Sequence, residues 1–249
     1  VEFIMENSTA RAPATEGAAD RKRRDFLRRA GLAGLVLSVP GVLTSCAKDA
    51  LAPTAASGAL LDRRREGDGG PDQAATVTLN FANEIDVLNY AFALEQLEAA
   101  FYVQVIATPY AGITAEEMRL LTDVRDHEVA HRDFFAAALG GAAIPDLTVD
   151  FSAVSFNSRR SVLRTAMTFE DLGVGAYNGA ARYLSNDRYL IVAGKIVSVE
   201  ARHAAAIRDL LEPRSDFFAP DAFDTPIAPA TVLAAASPFI VETVTATNT

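Results

Sequence analysis

The chain has one cysteine, Cys46, among its 249 residues, so it can form no disulfide within itself and no cysteine-built zinc or iron–sulfur site. Histidine is almost as scarce, with three residues. After position 46 no apolar run reaches the roughly 18–20 residues of a spanning helix, which excludes a transmembrane body. Positive charge is also short. The formal net charge is −9, which excludes a broad basic surface for nucleic acid. Seven of the 23 Lys+Arg fall in residues 1–45 beside five of the 32 Asp+Glu, leaving 16 basic against 27 acidic residues from Cys46 onward. The basic start therefore belongs to a segment with its own task. Half of the residues are apolar, enough for one sizeable core or at most two small ones.

Within the basic start, Lys22-Arg23-Arg24-Asp25-Phe26-Leu27-Arg28 resembles a twin-arginine export signal. A short apolar stretch rich in Gly and Ala follows, Ala30 to Val42, broken at Pro40-Gly41. Leu43-Thr44-Ser45-Cys46 looks like a lipobox, in which the cysteine is lipidated and becomes the new N-terminus. These resemblances imply that residues 1–46 are a signal peptide outside the fold. They also imply export by the twin-arginine route and a periplasmic or outer-surface lipoprotein anchored through Cys46. Residues 47–78 begin as Ala, Pro, Ser, Gly, Asp and Arg, a composition that buries little and reads as a flexible linker. Residues 79–249 are left for the folded body with a C-terminal extension.

Four segments of that body carry helical periodicity. They run from about Asn83 to Ala107, from Thr114 to Gly140-Gly141, from about Ser161 to Leu184, and from after Asn186-Asp187 to Pro213. Thr114 and Glu117 form a capping-box pattern, and Gly140-Gly141 is a helix stop. At about 24–26 residues each would be roughly 36–39 Å long. A few residues join the first helix to the second and the third to the fourth, which makes each pair antiparallel neighbours. About 19 residues, Gly140–Ser158, lie between the second and third, including Pro145 and a strand-like Leu147–Phe151. Two hairpins joined by one long crossover predict an all-α, up-down four-helix bundle of ferritin-like arrangement. Beyond Pro213, the stretch Pro226 to Leu233 predicts a short helix capping the bundle.

Chemistry sits on the seams. Each apolar seam is interrupted by a Glu, or by a Glu and a His: Glu95 in the first helix, Glu128 and His131 in the second, Glu170 in the third, Glu200 and His203 in the fourth. A Glu and a His three apart share one helix face. Four carboxylates in a bundle core are costly unless cations neutralise them. Two divalent ions would do so, with bridging carboxylates and one imidazole on each ion. Chance spacing of 14 Glu and three His gives about 0.2 occurrences of Glu-x-x-His, and the chain has two, both in mid-helix. Tyr102 follows Glu95 by seven residues, as Tyr177 follows Glu170. The two hairpins read as copies of one unit about a pseudo-twofold axis.

The run Ala93-Leu94-Glu95-Gln96-Leu97-Glu98-Ala99-Ala100-Phe101-Tyr102 resembles the first helix of the ferritin-like domain family that includes desiccation-related proteins. The stretch from Phe223-Asp224-Thr225-Pro226 to Phe239-Ile240 is similar to that family's C-terminal part, so the resemblance covers about 80–240. By analogy with ferritins and rubrerythrins it implies that Glu95, Glu128, His131, Glu170, Glu200 and His203 are metal ligands, and that Tyr102 and Tyr177 hydrogen-bond ligand carboxylates. Glu98 is an alternative ligand to Glu95. His127 reads as a half-exposed histidine outside the ligand set, and Arg202 as a solvated base. The implied cofactor is a pair of iron ions, with manganese fitting the same ligands. The implied chemistry is oxidation of Fe(II) or reduction of O2 or peroxide, with no single catalytic residue assigned. The other reading is a non-catalytic stress- or desiccation-related envelope protein with a structural or empty site. Expected partners are metal ions, small oxidants and a membrane through the lipid on Cys46. No nucleic acid is expected, and a homodimer is left open.

Overall fold

Asn83 starts the first helix: its side-chain oxygen accepts a hydrogen bond from the Ile85 backbone N–H at 3.1 Å, satisfying one of the donors that a helix start leaves free. The protein is described by a computed structural model over residues 75–249. Cys46, the twin-arginine motif and most of the expected linker lie outside the described residues. Helix α1 spans Glu84–Ala107, α2 Ala115–Leu139, α3 Arg159–Ala180 and α4 Asp187–Leu211. Thr114 and Glu117 make both capping-box hydrogen bonds, at 3.1 and 2.9 Å. The bundle is the expected all-α one. Its tightest packing joins α1 to α2 and α3 to α4, as short connections require.

The crossover from Gly140 to Ser158 runs along α1. Asn89 and Gln96, two turns apart on that helix, fix it there. Asn89 donates to the Ala142 carbonyl at 2.9 Å and accepts from the Ile144 N–H at 2.8 Å. Gln96 accepts from the Leu147 N–H at 2.8 Å. Helix α1 is therefore covered on all sides, with every residue from Asn89 to Ala99 buried. This explains why its sequence is apolar nearly all round. Phe151 and Phe156 of the crossover pack edge-on or tilted against Phe101, which in turn meets Phe169 of α3.

The C-terminal extension holds helix α5, Pro229–Ala236, a few residues downstream of the stretch expected to be helical. It buries Val232, Leu233 and Ala236 against α3. The approach depends on two glycines. A Cβ on Gly179 would lie 1.9 Å from the Ile227 carbonyl oxygen, and one on Gly175 would lie 2.4 Å from the Ile227 side chain. The Ile227 N–H bonds the Gly175 carbonyl at 2.9 Å. Beyond α5 the chain pairs back with the start of the body. Strand β1, Thr76–Asn80, lies parallel to β2, Thr243–Thr247, with Thr76 opposite Thr243. Residues 76–78, expected as the end of the linker, are part of this strand. The strand-like reading of 147–151 reduces to one bridge, Val149 to Ile240.

Candidate metal centre

The four helices bring all six seam residues together near mid-bundle. Glu95, Glu128, Glu170 and Glu200 have no solvent exposure, and His203 is buried, while His131 is partly exposed. Their polar atoms form two overlapping groups. One holds Glu95, Glu128, His131 and Glu200; the other holds Glu128, Glu170, Glu200 and His203. Each residue offers one ligand atom, and within a group these atoms all lie within 4.8 Å of one another. Glu128 and Glu200 belong to both groups, as two shared ligands should. Glu95 with His131, and Glu170 with His203, close the two sides.

Distances repeat the pseudo-twofold relation. His131 Nδ1 lies 3.0 Å from Glu200, 3.4 Å from Glu95 and 3.5 Å from Glu128. His203 Nδ1 lies 2.8 Å from Glu128, 3.3 Å from Glu170 and 3.8 Å from Glu200. The tyrosines cross between the hairpins. Tyr102 of α1 donates to Glu170 of α3, and Tyr177 of α3 donates to Glu95 of α1. Each phenol thus fixes the other hairpin's terminal carboxylate. Burial first, then the accepting carboxylate, pushes both phenol pKa values well up, so both keep the proton they donate.

The donor set fits a pair of cations. Glu95 Oε2, Glu170 Oε2, both oxygens of Glu128 and of Glu200, and Nδ1 of both histidines are buried without completing a hydrogen bond, although they stand within ion-pair reach. Buried polar atoms are ordinarily satisfied, so eight orphans converging on one region mark a place for ions. The side chains alone balance this charge with protons. Burial lowers the basicity of each histidine, but the surrounding carboxylates outweigh it and push both up to about 12. Burial raises Glu170 to about 8 despite His203, and raises Glu95 well above the carboxylate range. Glu128, between both imidazoles, falls to about 2 in spite of burial.

A family model described as a ferritin-like domain matches residues 83–213, more than half of the chain. The chain belongs to the ferritin-like domain family. No curated protein matches it. In this ferritin-like bundle the matched span holds all four long helices and all six seam residues.

Two neighbours occupy places that sequence alone did not give. Glu98 is buried but stands outside both ligand groups, which include Glu95 instead. Its carboxylate rests over Gly173, where a Cβ would come within 3.1 Å of it. Burial, then the carboxylates of Glu200, Glu128, Glu95 and Glu170, pushes its pKa well up. His127 is exposed, yet its Nδ1 lies 2.9 Å from Nε2 of His203, so it orients that ring from outside. Its position one residue before Glu128 was the available signal, but a helix face does not name the partner across it. Arg202 is exposed, as a solvated base would be. Among the described residues no helix is long and apolar enough to cross a membrane.

Proposed function

We propose that the bundle binds a carboxylate-bridged pair of iron ions and oxidises ferrous iron with O2 or peroxide, in an exported protein held to a membrane through Cys46. The observation that carries the metal reading is the convergence of eight unsatisfied buried donor atoms on two overlapping ligand groups that share Glu128 and Glu200. Oxygen and imidazole donors suit iron and accept manganese. Two bound ferrous ions supply two electrons, which with two protons take one O2 to hydrogen peroxide. The protein supplies position and protons. Tyr102 and Tyr177 hold Glu170 and Glu95 in place, His127 holds the ring of His203, and burial with the neighbouring carboxylates favours the protonated form of Glu98 beside the centre. The export and anchoring reading rests on Lys22–Arg28 and Leu43–Cys46.

Sharing gives the test its shape. Glu128→Ala removes a ligand common to both ions, so bound iron should fall from about two per chain to well below one, and ferrous oxidation should fall about a hundredfold. Glu95→Ala touches one side only and should leave about one ion in place. Elemental analysis and stopped-flow absorbance of the reconstituted full chain measure both. Iron content and rate unchanged in a Glu128→Ala, Glu200→Ala double variant would remove the reading.

A further inference from the structure

The pseudo-twofold relation fails at one place next to the centre. At the bundle end that carries the α3–α4 turn, the helices enclose an apolar cavity of about 30 Å³ with Tyr177 in its wall. Five alanines line it, and four of them, Ala138, Ala180, Ala181 and Ala193, depart from the repeat. Carried across the axis that pairs Glu95 with Glu170 and Glu128 with Glu200, they correspond to Leu210, Val105, Ile106 and Leu121. Phe134 against Ala206, Phe135 against Ile207 and Tyr189 against Glu117 run the other way. At that opposite end, however, Phe151 and Phe239 close in around Phe101 and Phe169. The result is visible at the two tyrosines: Tyr102 has 0% exposure and Tyr177 has 8%.

The volume exceeds the roughly 10–15 Å³ that one water needs, so a diatomic molecule fits and little more. The wall is almost entirely carbon. Water or hydrogen peroxide entering it would give up hydrogen bonds without replacement. Dioxygen is apolar and loses none. Phe134, Tyr189 and Val192 form a partly exposed rim, while Ala180 and Tyr177 are buried. Because the Tyr177 hydroxyl donates to Glu95, an occupant stands one side chain from the ligand groups. We infer that this cavity is the entry and holding site for dioxygen, serving the centre from the Tyr177 side alone. The inference rests on the dinuclear iron reading and names its oxidant and the oxidant's path.

Crystals of the full chain under xenon pressure should show one xenon atom between Tyr177 and Ala138. An Ala138→Leu, Ala193→Leu variant copies the filled end and should lose it; Ala181→Ile is the second variant should the double one not fold. In the iron-loaded protein the filled variant should react with dioxygen about tenfold more slowly, while its rate with hydrogen peroxide stays within about twofold. Three results would overturn the inference: no xenon in the parent cavity, an equal drop for both oxidants, or an unchanged dioxygen rate in a variant that has lost xenon. A parent chain that takes up xenon but no iron would instead bring down the dinuclear reading, and the path with it.

Discussion

The two ends of the bundle start from corresponding positions and are finished differently. At the end with the α1–α2 turn, Arg159 donates to Glu117 at 2.7 Å and to the Leu210 carbonyl at 2.7 Å, tying the starts of α2 and α3 to the end of α4. At the other end the corresponding residue is Glu84, which accepts from the backbone N–H groups of Ser185 and Asn186 in the α3–α4 turn. The first end is sealed by Phe101, Phe151, Phe156, Phe169 and Phe239. The second belongs to a smaller apolar cluster around Phe92, Phe135 and Tyr177, and it keeps the cavity. Between them the ligand layer stays nearly symmetric. Repetition is thus kept in the layer of carboxylates and imidazoles, and it is given up in the apolar layers at either end.

The largest expected effect lies where the two ends agree. The imidazoles, near 12, and the carboxyl of Glu170, near 8, carry protons at neutral pH, and metal must displace them, while burial holds the carboxyl of Glu95 well above the carboxylate range. Affinity therefore rises with pH. Below pH 8 the protons of His131, His203 and Glu170 leave with the ions, so the overall two-ion constant should change by about three orders of magnitude per pH unit. Calorimetric titration with Fe(II) or Mn(II) in buffers of different ionisation enthalpy counts those protons. A pH-independent constant would contradict the charge balance described.

A smaller contrast separates the ends by packing. Phe169→Ala opens a hole in the sealed end, where nothing can move in, and should cost about 4–5 kcal/mol. Phe135→Ala borders existing space, loses fewer contacts and should cost about 3 kcal/mol. Denaturant unfolding of both variants measures the difference, and equal losses would mean the ends are equally well filled. The smallest effect concerns the tyrosines. Tyr102→Phe leaves a buried Glu170 oxygen without its donor and Tyr177→Phe does the same to Glu95, each costing about 1–3 kcal/mol. Thermal unfolding of the metal-free variants should show similar losses for the two, as the repeat requires.

Much of this was legible from spacing. Helix bounds followed from caps such as Thr114 with Glu117 and from the Pro and Gly stops, because those signals are local. Glu-x-x-His on two seams pointed to the residues that the fold brings together, because a helical period of 3.6 fixes the face on which a side chain lies. It does not fix the partner. Tyr102 and Tyr177 were expected near carboxylates, but their crossing between hairpins needed the packed bundle. Glu98 could not be separated from Glu95 by period alone; only the packed bundle puts Glu95 in a ligand group and leaves Glu98 out. The strands were missed because each is five residues long and more than 160 positions separate their partners. The shared Thr-Val-Thr of residues 76–78 and 243–245 was their only local mark.

The close seat of Ile227 on Gly175 and Gly179 bears on where this protein can be cut. The family match stops at residue 213, and a chain ended there would keep every ligand. It would also strip cover from α3, take Phe239 away from Phe169, and leave β1 with a bare edge. The working unit for expression or transplantation therefore runs from Thr76 to Thr247, with its last strand closing on its first.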